Sequence, residues 1–205
     1  MGNTKEAILC TALELFARDG YEAVSVSQIA GALGMTKGAL YKHYASKRDI
    51  FDQILVRMEQ QDAAQAAQFQ LPEGPREAME AQYRAASLEQ LLAFSLAQFR
   101  YWTQDGFAAA FRRMLTLEQF RSAEMQRLYQ QYLAAGPAGY VADLLDALGV
   151  PEPREQALSY YGAMFLAYSA YDGAADKEAV EAWLRRTLER LCRPVLETNI
   201  RREKT

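Results

Sequence analysis

Apolar residues recur every three or four positions along almost the whole chain and nowhere alternate strictly, so the pattern predicts helices and no strands. Residues 4–19 open with a broad stripe, Ile8, Leu9, Ala12, Leu13, Leu15 and Phe16, which Gly20 terminates. Val26, Ile29, Ala30 and Leu33 form the next stripe. It starts at Ser25, which with Gln28 makes a capping box, and it stops at Gly34, a residue free to enter the left-handed region. Thr36 then caps a short third helix reaching to about Tyr44, where only Leu40 and Tyr44 look toward a core. Two helices joined by so tight a turn form a helix-turn-helix.

Ser46 is the next cap, and one long helix can follow through Ile50, Phe51, Ile54, Leu55 and Met58 to an Ala-rich end. Pro72, Gly74 and Pro75 break it within 70–75, and 77–86 offers a further turn or two of helix. A second capping box at Ser87 opens a helix through Leu91, Leu92, Leu96, Phe99 and Trp102, which stops at Asp105-Gly106. Residues 107–120 make a shorter helix, and 122–148 a long stretch that Gly136-Pro137 must kink or split. Gly149, Pro151 and Pro153 separate it from a helix over 155–171, ended by Asp172-Gly173. The last helix spans 177–196 and leaves a basic tail with Arg201, Arg202 and Lys204. The expected fold is all-α, with about nine or ten helices. A three-helix unit over 1–48 precedes a larger helical domain over 49–205.

With 205 residues, half of them apolar, the chain can bury a sizeable core. The net charge of −3 hides an asymmetry. Residues 1–48 carry Lys5, Arg18, Lys37, Lys42, Lys47 and Arg48 against Glu6, Glu14, Asp19 and Glu22, so the first unit is positive and the negative excess lies beyond it. No run approaches the roughly 18 apolar residues of a membrane span. The start, MGNTKEAILC, lacks the apolar run of a signal peptide and the hydroxyl residue of a myristoylation motif. No membrane partner is expected. Cys10 and Cys192 lie far apart with no partner at metal-ligand spacing, which suits free thiols in a cytoplasmic protein.

The outward side of the third helix carries Lys37, Ala39, Tyr41, Lys42 and His43, cationic and aromatic, while Gly38 and Ala39 let another backbone come close. The second helix of a helix-turn-helix enters the major groove of double-stranded DNA N-terminus first. Lys37 is then placed to reach guanine acceptors and the Ala39 methyl to meet thymine. Thr36, Tyr41, His43 and Lys47 suit phosphates, and Gln28 suits the DNA backbone, a base or only its cap. Ser25 and Gly38 complete the expected DNA face. His43 is the only histidine, and Ser159 and Ser169 sit in no nucleophile elbow. With no Gly-rich phosphate loop or paired-acid motif either, no enzyme activity, cofactor or metal is expected.

The string Ile29-Ala30, Gly34, Thr36-Lys37-Gly38, Leu40-Tyr41, Tyr44 and Ser46-Lys47, at this spacing, resembles the DNA-binding segment of TetR-type (tetracycline-repressor family) transcriptional regulators. The resemblance covers Thr4 to about Phe51. Tyr44 stands where phenylalanine is usual, Ala45 where proline is frequent and Arg48 where an acid is common. It implies a cytoplasmic repressor that binds a pseudo-palindromic operator as a homodimer and is released by a small-molecule effector held in the larger domain. The aromatic residues there suit an apolar or aromatic ligand, with Phe99, Trp102, Phe111, Met114, Tyr129, Tyr161, Phe165 and Tyr168 as the expected lining. For the dimer interface, the small residues Ser159, Gly162, Ala163, Ala167 and Ala170 permit close helix approach, and Val180, Leu184, Leu188 and Leu191 line the final helix. One rival keeps the DNA-binding head and gives the body only dimerisation or a protein partner. Another makes the chain a ligand-binding or catalytic helical protein whose turn motif is incidental.

Overall fold

The computed structural model describes residues 4–68 and 88–202, which form ten helices and no strand. They are α1 (Thr4–Asp19), α2 (Val26–Ala32), α3 (Lys37–Tyr41), α4 (Lys47–Gln68) and α5 (Leu88–Gln104), then α6 (Gly106–Glu118), α7 (Ala123–Leu133), α8 (Ala135–Ala147), α9 (Pro153–Gly173) and α10 (Lys177–Arg202). The break expected at 70–75, the turns over 77–86 and the Ser87 cap lie outside the described residues.

Caps fix several of these ends. The Ser25 side chain accepts from the Gln28 amide while the Gln28 side chain accepts from the Ser25 amide, so α2 starts on a reciprocal capping box. Its other end is a Schellman turn. Gly34, at φ +64°, donates to the Gly31 carbonyl and Met35 to that of Ala30. The same turn recurs after α8, where Gly149 at φ +69° donates to Asp146 and Val150 donates to Leu145.

Several boundaries differ from expectation. α3 ends at Tyr41, and the Leu40 carbonyl then accepts from both His43 and Tyr44 in a turn that still delivers Tyr44 to the core. Asp105, expected to stop α5, is the N-cap of α6, accepting from the amides of Phe107 and Ala108 at 3.0 and 2.9 Å. The 122–148 stretch is split at Ala134, and Pro137 falls in the first turn of α8, where its missing N–H costs nothing. α10 continues to Arg202 instead of fraying after Leu196.

The helices pack into two compact units. The first gathers α1–α4, α6 and α7 as far as Tyr129; the second gathers α5, the end of α7 from Gln130, and α8–α10. Packing therefore does not divide the chain at residue 48. The reason is α6, which carries Phe107, Phe111, Met114 and Leu115 as buried residues and lies on α1. In this unit Ile8, Leu13, Phe16, Ile29, Leu40, Ile50, Phe51, Ile54 and Met58 are sealed from solvent. Each such side chain contributes about 1.5–3 kcal/mol relative to exposure.

In the second unit Leu92, Leu96 and Phe99 of α5 meet Tyr161, Met164, Tyr168 and Tyr171 of α9 and Leu184 and Leu188 of α10. Buried polar groups are satisfied inside it: Ser95 donates to the Leu91 carbonyl and pairs with the Tyr160 hydroxyl, and Tyr161 donates to the Leu133 carbonyl at 2.9 Å. Burial pushes the Cys192 thiol up to about 11, so it stays protonated at neutral pH. No described helix is long and apolar enough to cross a membrane.

Gly20 is the position in the first unit that a side chain fits worst. Its φ is +89°, and a Cβ there would stand 2.6 Å from the Glu118 carboxylate. Gly20→Ala is expected to destabilise the chain by about 1–2 kcal/mol, because the left-handed strain adds to displacement of a buried carboxylate. Chemical denaturation checks this; an unchanged midpoint would contradict it.

Candidate nucleic-acid interface

α3 is held from behind and left open in front. Leu40 is fully buried, and Tyr44, nearly so, donates its hydroxyl to the Lys5 carbonyl of α1 at 3.2 Å. Burial is the main cause that raises the Tyr44 phenol, so it remains a donor. Thr36 Oγ1 accepts from the Ala39 amide at 3.1 Å and fixes where the helix begins. What remains outward is Lys37, Gly38, Tyr41 and Lys42, with Ala39 and His43 half-buried beside them.

The expected DNA residues are not all placed alike. Lys37, Gly38, Ala39 and Tyr41 share the exposed helix, and Tyr41 is 43% exposed. The Lys37 ammonium rests 5.7 Å from the Tyr41 ring centre, near the outer limit of a cation–π contact, so a base edge or phosphate can displace it at small cost. Ser25 and Gln28, exposed at the start of α2, are engaged in their own capping box, as is Thr36 in its cap. Each retains solvent-facing surface.

Lys47 is placed differently from expectation. Its ammonium donates to the carbonyls of Tyr21 and Glu22 at 2.8 and 3.4 Å and lies 4.3 Å from the Tyr21 ring centre. It holds the α1–α2 loop, a role with no signature in local sequence because the partner lies 26 residues away.

Two further groups were missed. Glu118, only 1% exposed, accepts from the Tyr21 amide at 3.1 Å and faces Arg121 at 3.5 Å. The signal was available: Glu118 falls on the stripe of Phe111, Met114 and Leu115, where an acid is out of place unless it has a partner. Arg48 grips both oxygens of Glu124 at 2.7 Å and donates to Asp52 at 2.8 Å. That hydrogen-bonded pairing with Arg48 holds the Glu124 carboxyl below the usual range.

The residues expected around an effector divide between the units. Phe111, Met114 and Tyr129 are buried in the first. Phe99, Tyr161 and Tyr168 are buried in the second, Trp102 packs against their cluster, and Phe165 is 38% exposed. Among the expected interface residues, Ala167, Leu184 and Leu188 are sealed inside the second unit, which leaves them no surface for another chain. Gly162, Ala163, Val180 and Leu191 are half-buried, and Ser159 and Ala170 are exposed. The outward side of α9 instead carries Leu158 and Leu166, 69% and 58% exposed, with Phe165. Positions 158, 162, 165 and 166 recur at helical spacing, so the pattern itself contained this face. Among the described residues no group of His, Cys, Asp or Glu could hold a metal ion.

Residues 8–54 match the family described as bacterial regulatory proteins, tetR family. The regulator AcrR of Shigella flexneri is 43% identical over 51 residues, 25% of this chain and 24% of that protein. The repressor BepR of Brucella suis is 38% identical over 72 residues, 34% of each. The matched stretch thus spans about a quarter to a third of these curated relatives. A TetR-family regulator from Bordetella parapertussis aligns over 93% of this chain and 95% of its own, at TM-score 0.59 and 18% identity. The fatty acid degradation regulator FadR from Bacillus halodurans covers 92% and 96%, at TM-score 0.57 and 20% identity. Residues 8–54 thus carry the helix-turn-helix head of the tetR family of bacterial regulatory proteins, and the chain shares the fold of the solved TetR-family structures it aligns with.

Proposed function

We propose that the chain is a cytoplasmic transcriptional repressor that binds a pseudo-palindromic operator as a homodimer and is released by a small apolar or aromatic effector. The observation that carries this reading is the exposed Lys37, Gly38 and Tyr41, with Ala39 half-buried beside them, on a helix fixed by its cap and by Leu40. Two such heads about one helical turn apart read successive major grooves. The exposed Leu158, Phe165 and Leu166 on α9, beside Ser159 and Gly162, supply the apolar surface for a two-fold interface. The aromatic residues of the body are where an effector binds. A ligand preferring one dimer spacing and DNA another shifts the population between them, with α4 as the rigid link, and each weakens the other by the same factor.

Lys37→Ala tests the base-reading assignment. It should lower affinity for the preferred operator by about tenfold while binding to unrelated DNA changes much less, since one base contact contributes about 1–3 kcal/mol of discrimination. Unchanged operator preference in competition binding would remove Lys37 from that role. A second reading, a body that only dimerises or binds a protein, is favoured by the close packing of Phe99 against Tyr168 and Tyr171, with centroids 5.8 and 5.4 Å apart. A thermal-shift screen of apolar and aromatic compounds separates the two: saturable stabilisation favours the effector.

A further inference from the structure

We propose that Glu124 and Glu118 are positioning residues for DNA recognition, two acids flanking the α6–α7 turn that set the pose of the recognition helix without touching DNA. The inference rests on the DNA-binding reading above.

In the α1–α2 loop, Tyr21 is held from several sides. The Tyr21 amide donates to Glu118, and the Tyr21 carbonyl accepts from Lys47. Its ring lies 5.1 Å from both Phe16 and Phe51. Four residues later Ser25 starts α2, and α3 follows from the Schellman turn, so the placement of Tyr21 is inherited by the DNA face. Glu118 is the last residue of α6 and fits against Gly20, where no side chain has room.

The second hold is on α4. Arg48 lies one residue beyond Lys47, and all three of its guanidinium nitrogens donate to acids: both terminal nitrogens to Glu124 and Nε to Asp52. Three of its five N–H donors are committed to the two acids, which turns the fork toward the protein. Its position beside a DNA-binding head would otherwise assign it to the DNA backbone. The two acids, six residues apart and on either side of the α6–α7 turn, therefore hold the loop before α2 and the helix after α3. Only the short turn between α6 and α7 separates Glu118 from Glu124, which couples the two holds.

The test uses the full chain and the operator recovered by selection from random duplexes. Affinity is measured across a salt series for Arg48→Ala, Glu124→Ala, the double variant, Glu118→Ala and Glu118→Gln, with a thermal midpoint recorded for each. Arg48→Ala and Glu124→Ala are each expected to bind about fivefold more weakly. The double variant is expected to bind no more weakly than either single variant, because the two residues act as one contact. The salt slope of Arg48→Ala should equal the parent's, whereas loss of a phosphate contact lowers it by about one. Glu118→Gln, which keeps an oxygen for the Tyr21 amide, should bind like the parent, and Glu118→Ala more weakly. A shallower slope for Arg48→Ala, or parental affinity for Glu124→Ala, overturns the proposal while leaving the regulator reading intact. A parent that selects no duplex overturns both.

Discussion

Gly38→Glu is expected to leave the fold intact and to weaken binding to the operator by about a hundredfold or more. Gly38 is exposed in α3, its φ is not in the left-handed region, and a Cβ there would meet no protein atom within 4 Å. The chain itself therefore has no need of glycine at this position. Relative to alanine a helical glycine costs up to about 1 kcal/mol, and nothing within the protein offsets it. A locally unfavourable residue at an exposed position is accounted for if another molecule must approach closely there. Glutamate in the first turn of a helix is favourable for folding, so the thermal midpoint should hold or rise. Against phosphates and base edges the same carboxylate is repelled and loses its water. Thermal unfolding together with titration of a labelled duplex reads both effects. Lost stability, or retained operator binding, contradicts the assignment of α3 as the DNA face.

Phe99→Ala should destabilise the chain by about 3–5 kcal/mol, a large share of the 5–15 kcal/mol typical of a folded domain. Phe99 is fully buried between α5, α9 and α10, stacked parallel to Tyr168 and edge-on to Tyr171. Removing the ring loses its transfer free energy and opens a void, and the neighbouring rings cannot close it without giving up their own contacts. Urea denaturation monitored by helical signal measures the loss. A change below about 1 kcal/mol would mean that the site relaxes freely and that this cluster is not the rigid centre of its unit.

These two sites also mark what the sequence could and could not reveal. The head was legible because its determinants are local. Ser25 to Gln28, Gly34 and Thr36 act over three or four residues, and the structure places each in the expected cap or turn. The Lys37 to Tyr41 face followed from helical spacing alone. The holds on Tyr21 and Arg48 come from residues 97 and 76 positions away, and no periodicity records such a pairing. Only the misplaced acid at Glu118 hinted at one. The interface expectation failed at Ala167, Leu184 and Leu188 for a different reason. A small or apolar residue on a helix packs equally well inside its own chain or against another, and burial alone decides which. Asp105 was read as a stop because an Asp-Gly pair ends one helix as readily as it caps the next.

The central claim is that the face of α3 reads DNA. Its most direct test is selection of random duplexes by the purified full chain, with Gly38→Glu run in parallel, read by sequencing at two salt concentrations. Enrichment of a two-fold symmetric site by the parent and none by the variant is the predicted result. Equal enrichment by both, or none by a folded parent in either salt, would contradict it.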